Sequence, residues 1–418
     1  MHERPQLPPG PWLVVGLARS GIAAARALLA RGEQVLVVDA GSPAVPEGIA
    51  AVTGTDGLAE LDGVRAVVKS PGVPAHAPVV ADARRRGLPV MGELELAWRL
   101  VPGEVIAVTG TNGKTTTVEL LGEIHRAAGV PVQVVGNVGT AYASLAGADL
   151  GGAVVVCEAS SFQLEDTVAF APEAGVLLNL EPDHLDRHGT LEDYRAAKLQ
   201  IFSRQGPGDV AVAPAGVEIP GAAQRVQPLE IRDDAIWHEG ERLSVRLRGP
   251  HNLSNAASAA AVAIARGVDP RPGLASFAGV EHRLEEAGLV DGVLYVNDSK
   301  ATNVASTLVA LASFPGPVHL ILGGRGKGQD FTPLRAPIAA GNVSVYLIGE
   351  EAERIGAAVG GERCGDLETA LDHAAARARK GDVVLLSPAC ASFDQFADFE
   401  ARGRAFKELV GARRSSGA

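Results

Sequence analysis

Short apolar runs alternate along the chain with longer Ala-rich stretches, and this alternation is the main structural signal in the sequence. In the first hundred residues, the runs 12–15, 35–38 and 64–68 predict strands, while 22–31 and 93–100 predict helices. Strands that are apolar throughout and are separated by helices are typical of parallel sheets covered by helices. The pattern therefore predicts an α/β fold.

The same alternation continues along the chain and divides it into three segments, with breaks at the Pro-Gly pair 102–103 and near 281–283. Irregular β structure is expected between 210 and 249, and the polar tail after Val410 is expected to fray. We therefore expect three consecutive domains, at 1–101, 102–282 and 283–418. The further predicted strands are 105–108, 153–157, 174–178, 294–296, 318–322, 345–348 and 383–386. The further helices include one that runs from the end of the loop 110–116 to about residue 128, and the stretches 194–202 and 255–266.

Length and charge narrow the class of protein. The chain has 418 residues and a formal net charge of −11. At roughly 100–200 residues per domain, this length suits several domains. The acidic balance argues against non-specific nucleic-acid binding, which needs a basic surface. It allows an anionic small substrate, because a few cations can reverse the field inside one cleft.

Cysteine usage and hydropathy indicate the compartment. Cys157, Cys364 and Cys390 lie far apart and form no CxxC pair, so we expect reduced thiols in a cytoplasmic protein. The polar, Pro-rich stretch Met1–Trp12 lacks the apolar run of a signal peptide. Uncharged apolar runs of about 18 residues are missing from the sequence, so no membrane span is predicted.

A glycine-rich loop between a predicted strand and a predicted helix is the strongest local motif. Its backbone N–H groups and the helix N-terminus can cradle phosphates, the lysine can bridge β- and γ-phosphates, and a threonine can hold Mg²⁺. The first glycine of the general motif would fall at Val108, so the loop is tighter at its start. The alternative is a glycine turn with an incidental lysine. The candidate nucleotide-binding residues are Gly110, Thr111, Asn112, Gly113, Lys114, Thr115 and Thr116.

Acidic residues and histidines follow the next two predicted strands, where parallel sheets gather their ligands. Glu158 follows the first, either as a Mg²⁺ ligand or as the N-cap of the next helix. Asp183 and His184 follow the second, to bind a cation, orient substrate or hydrogen-bond within the loop. Lys198, taken alone, is an ordinary solvated lysine on a helix.

Several motifs taken together resemble the Mur ligases, and the resemblance spans nearly the whole chain. It implies an N-terminal UDP-binding Rossmann-like domain, a central P-loop ATPase domain and a C-terminal Rossmann-like domain. The motifs are Gly110-Thr-Asn-Gly-Lys-Thr-Thr, Glu158-Ala-Ser-Ser-Phe-Gln, Asp183-His184-Leu-Asp-Arg, Tyr194-Arg-Ala-Ala-Lys198, His251-Asn252 with Asn255, and His282-Arg283.

Two longer stretches are similar to the branch of this family that adds D-glutamate. They are 297–303, Asn-Asp-Ser-Lys-Ala-Thr-Asn, and 387–403, which begins Ser-Pro-Ala-Cys-Ala-Ser-Phe-Asp-Gln-Phe. The segments 70–72 and 136–139 fit the same branch. The resemblance implies an ATP-dependent amide ligase of peptidoglycan precursor synthesis whose partners are UDP-N-acetylmuramoyl-L-alanine and D-glutamate. We expect a monomer.

The resemblance also implies roles for individual residues. Lys114 would contact ATP phosphates, and Thr115 with Glu158 would hold one Mg²⁺. A second Mg²⁺ would be bound by His184 and by Lys198, the latter as a carbamate. The remaining nucleotide contacts would be Asn252 and Asn255 near adenine, Arg283 at the γ-phosphate and Asp298 at ribose. The residues implied around the other substrates are Ser70, Gly72, Asn137, Lys300, Thr302, Lys327, Ser392 and Phe399.

Five residues, in three places along the chain, depart from the usual family pattern. A Leu-Thr pair in the first glycine loop is replaced by Arg19 and Ser20, and a Thr-Arg pair after the second strand is replaced by Ala40 and Gly41. We therefore expect different UDP contacts, with Arg19 and Ser20 taking part. Phe393 replaces a leucine in the last motif and would reshape the glutamate pocket.

Amide formation needs an activated carboxylate, which the resemblance implies is an acyl phosphate. Two unit charges about 4 Å apart repel by several kcal/mol at an effective dielectric near 20, so two Mg²⁺ ions, Lys114 and Arg283 would offset the charge of the assembled substrates. Lys300 and Lys327 are the candidates for binding the glutamate carboxylates. His184 or an adjacent carboxylate would accept the amine proton, and we expect the third domain to close on the second.

Three other functions remain open at this point. A partial dinucleotide-binding fingerprint is formed by Gly16, Ala18 and Gly21 together with Asp39, and it would make the protein a dehydrogenase. A P-loop regulator would use the nucleotide to switch a partner surface. A sister ligase would add a different amino acid. Tight binding of NAD(P), or the pattern of ATP-dependent phosphate release, would distinguish them.

Overall fold

Parallel sheets with helices between their strands organise the chain, as the alternation of apolar runs predicts. The computed structural model describes residues 2–137, 139–247, 249–326, 328–340 and 342–416. These residues form two compact units, one up to Val245 together with Leu253–Phe277, the other from Arg246–Asn252 and from Ala278 onward. The chain passes between the units after Val245, after Asn252 and after Phe277.

The first sheet of unit 1 has the strand order β3-β2-β1-β4-β5, and its neighbouring strands are parallel. Alternate residues of β1 enter different hydrophobic clusters, Val14 in one and Leu13 in the other. Both faces are therefore covered, which explains the continuously apolar strands. The elements are β1 Trp12–Val15, α1 Arg19–Ala30, β2 Val35–Asp39, β3 Ala51–Thr53, β4 Ala66–Lys69, α2 Pro78–Arg85, β5 Val90–Gly92 and α3 Glu93–Leu100.

The second sheet of unit 1 is also parallel, with the order β11-β10-β9-β6-β8-β7. A separate antiparallel sheet, β12-β13-β14, lies in the region where irregular β structure was expected. The elements are β6 Val105–Thr109, α4 Lys114–Ala127, β7 Val132–Gly136, β8 Val154–Glu158, α5 Ser161–Leu164, β9 Ala174–Leu177, α6 Leu185–His188, α7 Leu191–Leu199, β10 Val210–Val212, β11 Gln224–Val226, β12 Glu230–Arg232, β13 Ala235–His238, β14 Glu241–Leu243, α8 Pro250–Ala265 and α9 Arg271–Ser276.

Buried carboxylates at the start of α3 tie the first segment of unit 1 to the second. Glu93 accepts a hydrogen bond from the Ala143 amide at 2.7 Å. Glu95 accepts from the backbone amides of residues 168–170 at 2.9–3.0 Å and pairs with Arg99. Buried carboxylates are tolerated only when they are paired or hydrogen-bonded. These bonds help to explain why the two segments form one unit.

Unit 2 contains a mixed sheet with the order β15-β16-β20-β17-β18-β19. Five neighbouring strands are parallel, namely β16, β20, β17, β18 and β19, and the edge strand β15 is antiparallel to β16. The elements are β15 Glu285–Val290, β16 Val293–Asn297, α10 Val304–Ala312, β17 Val318–Gly323, α11 Arg335–Ala340, β18 Val343–Ile348, α12 Ala352–Val359, β19 Glu362–Gly365, α13 Leu367–Arg377, β20 Val383–Leu386 and α14 Phe399–Ser416.

The expected fraying after Val410 is wrong, because α14 continues to Ser416. Val410 is buried in a hydrophobic cluster with Phe406, and Arg413 donates to the Leu409 carbonyl and pairs with Asp372. Tertiary contacts therefore hold the last turns of this helix despite their polar sequence.

In the described part of the chain, none of the helices combines the length and apolarity that a membrane crossing requires.

Candidate nucleotide and ligase site

The strand order of the second sheet brings the predicted site loops together. Strand β6 lies between β8 and β9, and all three run in the same direction. The phosphate loop after β6, Glu158 at the end of β8 and Asn179 after β9 therefore meet at one edge. Ligands of open parallel sheets bind at this carboxyl edge.

Hydrogen bonds from neighbouring loops hold the phosphate loop in place. The Asn112 amide donates to Asn179 Oδ1 at 2.8 Å, and Asn179 Nδ2 donates to the Asn112 carbonyl at 3.1 Å. Gly113 has φ 87°, and a Cβ there would lie 2.2 Å from Asn255 Oδ1. Only glycine fits this position, because both the backbone and the close approach of Asn255 exclude a side chain.

Lys114 and Lys198 converge on one carbonyl of this loop. Each ammonium donates to the Gly110 carbonyl at 2.8 Å, and Lys114 also donates to the Thr111 carbonyl at 2.9 Å. Thr111 Oγ1 lies 3.1 Å from the Tyr194 hydroxyl, and Lys198 Nζ lies 4.6 Å from the centre of the Tyr194 ring. Two lysine amino groups therefore meet where the sequence predicts nucleotide phosphates.

Lys198 is buried, with 2% of its surface exposed, which its position on a helix did not indicate. Burial, followed by repulsion from Lys114, lowers the pKa of Lys198 to about 7, although Asp183 and Glu158 act in the opposite direction. A buried ammonium loses hydration, so the neutral amine is favoured. Near neutral pH, a large fraction of this side chain is therefore uncharged.

Glu158 is buried and makes contacts through both of its carboxylate oxygens. Thr115 Oγ1 donates to Oε2 at 2.9 Å, and Asn137 Nδ2 donates to Oε1 at 3.0 Å. The N-cap of α5 is Ser160, which forms a capping box with Gln163. Glu158 therefore does not cap this helix. A hydroxyl beside a carboxylate is a donor set that suits Mg²⁺.

His184 lies in a loop with aromatic neighbours. Its backbone is left-handed, with φ 51°, and its Nε2 lies 3.5 Å from Asp183 Oδ2. The ring centre is 4.9 Å from that of Phe162 and 6.5 Å from that of Tyr194. Tyr194 also contacts Lys198, so the structure brings His184 to the same side of the sheet as the phosphate loop.

Arg187, one turn after His184, binds the segment that contains the predicted substrate residues Ser70 and Gly72. Its guanidinium donates to the carbonyls of residues 71–73 at 2.9–3.3 Å and to Glu165 at 2.8 Å. Ser70 Oγ in turn donates to the Gly16 carbonyl at 3.0 Å. The first glycine loop, the 70–73 segment and the His184 loop are therefore linked.

The first glycine loop does not present the acid that dinucleotide binding needs. Asp39 accepts from the backbone amides of Leu17 at 2.6 Å and Gly41 at 2.8 Å, one on each oxygen. In the dehydrogenase fingerprint such an acid would bind the ribose hydroxyl. Ser20 is half-buried, and the exposed Arg19 donates to the Gly139 carbonyl at 3.0 Å. Arg19 thus reaches the loop that carries Asn137.

The predicted adenine and γ-phosphate residues lie in different parts of the chain. Asn252 and Arg283 line one cavity of about 480 Å³ in unit 2, together with Arg246. Asn255 belongs to unit 1, where its side chain packs against Gly113. The structure therefore brings Asn252 and Arg283 together and places Asn255 beside the phosphate loop.

Asp298, predicted at the ribose, is buried in unit 2. Ser387 Oγ donates to its Oδ2 at 2.7 Å and the Leu284 amide to its Oδ1 at 3.2 Å. Burial raises the pKa of Asp298 to about 7, although the bond from Ser387 and the charge of Arg283 act in the opposite direction. A carboxyl group with this pKa can donate or accept a hydrogen bond near neutral pH.

The residues predicted around D-glutamate lie on loops of unit 2. Lys300 Nζ is 5.8 Å from the centre of the Phe399 ring, and Thr302 forms a turn with Lys300. Ser392 is buried, whereas the Phe393 side chain is 61% exposed. The predicted Lys327 lies outside the described residues.

A second cluster of possible metal ligands, Glu281, His282 and Glu285, lies in unit 2. Lys407 Nζ contacts Glu281 at 2.6 Å and Glu285 at 2.9 Å. Because the Lys407 ammonium is already paired with both carboxylates, we assign this cluster a structural role.

Some residues that shape the site had no predicted role, although all of them except Asn179 lie within the quoted motifs. Asn179 and Tyr194 hold the phosphate loop, and Arg187 binds the 70–73 segment. Arg402 is a buried cation in unit 2. Their residue types alone give no signal, because burial and partners depend on strand order.

The fold and the phosphate loop define an α/β nucleotide-binding protein of the P-loop class. Family models match three consecutive regions: the Mur ligase MurD-like N-terminal domain over 11–92, the Mur ligase middle domain over 108–232, and the Mur ligase glutamate ligase domain over 282–390. The chain belongs to the Mur ligase family, which has a three-domain fold and uses ATP.

Relatives with similar sequences span almost the full length of the chain. The UDP-N-acetylmuramoylalanine–D-glutamate ligase of Koribacter versatilis is 45% identical, and the match covers 95% of this chain and 96% of the relative. The ligase of the same name from Acidobacterium capsulatum is 42% identical, with 97% of both chains covered.

Solved structures of other family members have the same fold. The MurF ligase of Thermotoga maritima in complex with ADP has a TM-score of 0.61 at 20% identity, covering 92% of this chain and 96% of that one. The UDP-N-acetylmuramate–alanine ligase of the same organism has a TM-score of 0.58 at 18% identity, covering 96% and 99%. At these identities the similarity concerns the fold.

Proposed function

We propose that the chain is an ATP-dependent amide ligase that joins D-glutamate to UDP-N-acetylmuramoyl-L-alanine during peptidoglycan precursor synthesis. The observation that carries the chemistry is the convergence of Lys114 and Lys198 on the Gly110 carbonyl, at the sheet edge where Thr115 contacts Glu158. The names of the relatives from Koribacter and Acidobacterium support the choice of D-glutamate.

The reaction proceeds in two steps. The alanyl carboxylate attacks the γ-phosphorus of ATP, an O–P bond forms, and ADP leaves. The amine of D-glutamate then attacks the acyl carbon, phosphate leaves, and the amine loses a proton to a base. Lys114 stabilises the transferred phosphoryl group, and His184 or a neighbouring carboxylate accepts the proton. Arg283 acts on the γ-phosphate, and Lys300 and Lys327 bind the glutamate carboxylates.

The residues around the phosphate loop fit two Mg²⁺ ions. Thr115 and Glu158 would hold one, and His184 with a carbamate of Lys198 would hold the other. The ions would neutralise phosphate and acyl-phosphate charge. The neutral amine of Lys198 can form a bond to the carbon of CO₂ and release a proton, which replaces a cation with a carboxylate-like ligand. The lowered pKa of Lys198 supports this reaction, because only the uncharged amine is nucleophilic.

The remaining features of the proposal concern organisation. We place the domain boundaries at 1–101, 102–282 and 283–418, and the enzyme acts as a cytoplasmic monomer. Arg19, in the first glycine loop, donates to the Gly139 carbonyl, and Asn137, two residues earlier, donates to Glu158. These contacts link the first glycine loop to Glu158, which supports a role for both residues in binding the UDP-linked substrate.

The direct test is phosphate release from ATP with UDP-N-acetylmuramoyl-L-alanine and a panel of amino acids. We expect release only when D-glutamate is present, and we expect Lys114→Ala to abolish it. Lys380→Ala, at an exposed position, is the matched control. Release with another amino acid at a higher kcat/KM would identify a sister ligase, and tight NAD(P) binding without release would refute the proposal.

A further inference from the structure

Arg402, on α14, has only 1% of its surface exposed and lies at the carboxyl edge of the unit 2 sheet. Its guanidinium donates to the hydroxyl and the carbonyl of Ser299, both at 2.9 Å, and to the Cys390 carbonyl at 3.0 Å. Longer contacts reach the carbonyls of Ala391 at 3.4 Å and Gly323 at 3.5 Å. One side chain therefore connects the end of β17 with the loops that follow β16 and β20.

All of these acceptors are neutral. Among the described residues, no carboxylate lies within ion-pair distance of Arg402. Burial lowers the pKa of Arg402 to about 10, with Cys390 and Asp394 acting in the opposite direction. Fully buried arginines are usually paired with an anion, because an unpaired buried charge is costly. The positive charge is thus left for an anion that the protein itself does not supply.

The loop next to Arg402 contains an unsatisfied polar group. Ser392 is 2% exposed, and its hydroxyl has no hydrogen-bond partner in the part of the chain that the structure describes. Because the Ala391 carbonyl points at the guanidinium, the amide of the same planar peptide, which belongs to Ser392, points away from it. Buried hydroxyls nearly always have partners, so this one marks a position for a ligand atom.

We propose that Arg402 is a positioning residue for a carboxylate of the incoming amino acid. Arg402 holds the loop just before Ser392 through the carbonyls of Cys390 and Ala391 and supplies the balancing positive charge, and the Ser392 hydroxyl makes the contact. Arg402 itself does not touch the substrate. This inference rests on the proposed function. It means that a buried residue without contact to the substrate helps to bind the substrate's carboxylate.

The test compares KM values for D-glutamate, ATP and the UDP-linked substrate in Arg402→Lys and Arg402→Gln. The lysine keeps the charge but cannot reach all three of these segments, and the glutamine loses the charge. We expect the KM for D-glutamate to rise about tenfold in the first variant and further in the second, as charge-assisted bonds are lost. The other two KM values should change less than about twofold, which sets this role apart from general destabilisation. Arg404→Ala, exposed on the same helix, is the matched control.

Ser392→Ala is the second variant, because it removes only the unpaired hydroxyl and leaves Arg402 in place. It should raise the KM for D-glutamate, and its effect should not add to that of Arg402→Lys, since both act on one carboxylate. An unchanged KM for D-glutamate in either folded variant would overturn the inference. If Arg402→Gln fails to fold, the result for Arg402→Lys, which keeps the buried charge, decides. Absence of D-glutamate-dependent release in the unsubstituted protein would instead refute the proposed function.

Discussion

At the scale of single residues, Lys198 shows how position changes chemistry. In the sequence it is a helix lysine with no distinguishing feature, and only the resemblance assigned it a role. The structure buries it against Tyr194 and Lys114, and its pKa falls to about 7. The sequence could not reveal this, because the burial arises from strands and loops that are distant along the chain.

Replacing Lys198 with alanine should remove most of the turnover, because a ligand of the proposed second Mg²⁺ is lost. Small carboxylic acids such as formate or acetate should restore part of the rate by occupying the space of the carbamate. Steady-state phosphate release with and without added acid measures both effects. Full activity of Lys198→Ala would contradict the metal-ligand role, and Lys380→Ala should behave as the unsubstituted protein does.

The carbamate itself should be visible and should depend on pH. Because the pKa of Lys198 is lowered to about 7, its neutral amine becomes available as pH rises through 7, well below the range of an ordinary lysine. With ¹³C-labelled bicarbonate, we expect a carbamate NMR signal that grows between pH 6 and pH 8. The signal should be missing from Lys198→Ala. A signal that appears only above pH 9 would contradict the assigned pKa shift.

At the scale of elements, the sequence predicted most strands and helices because the apolar runs are nearly continuous. β1, α3 and β20 begin and end at the predicted residues. The antiparallel direction of β15 and the full length of α14 were not predicted, because both depend on partners far along the chain. The order of strands, which creates the site, is also set by such tertiary contacts.

Helix α3 should make folding stability depend on pH through Glu93. Burial raises the pKa of Glu93 to about 7, so the stability that this group contributes is present below its unfolded value of 4.5 and is lost as pH rises through 7. Glu93→Gln removes this loss. The unfolding free energy of the unsubstituted protein relative to the variant should fall by roughly 2 kcal/mol between pH 5.5 and 8.

Urea denaturation at several pH values measures the Glu93 effect. Glu47→Gln, at an exposed position in the same unit, is the control and should show no such trend. A pH-independent difference between Glu93→Gln and the unsubstituted protein would show that Glu93 stays ionised when buried.

The short helix α6 carries Arg187, which should couple substrate binding to the His184 loop. Arg187→Ala removes donors to three carbonyls of the 71–73 segment and leaves Glu165 without this partner. We expect the KM for the UDP-linked substrate to rise about tenfold, in line with the loss of charge-assisted bonds, with a smaller change for ATP. Kinetic assays beside Arg31→Ala, an exposed control, test this. Equal KM values in the two variants would argue against the coupling.

At the scale of the whole molecule, nucleotide binding should stabilise the native state. A ligand that binds only the folded protein adds about 2.7 kcal/mol when present at 100 times its Kd. We therefore expect Mg²⁺ and ATP together to raise the Tm by several degrees in differential scanning fluorimetry. Lys114→Ala should lose most of this shift, because its ammonium lies at the phosphate loop. An equal shift in that variant would place the nucleotide elsewhere.

The seven-residue segment Arg246–Asn252 belongs to unit 2, although the chain on both sides of it belongs to unit 1. A carboxyl-terminal fragment that starts at 283 would therefore lack Arg246, Leu247 and Asn252, which line the cavity beside Arg283. The last domain therefore cannot be exchanged between relatives as one continuous segment. A graft that starts at 283 would not carry the residues of 246–252 that line its cavity. A successful chimera would need two grafts, one of them in the middle of the recipient gene.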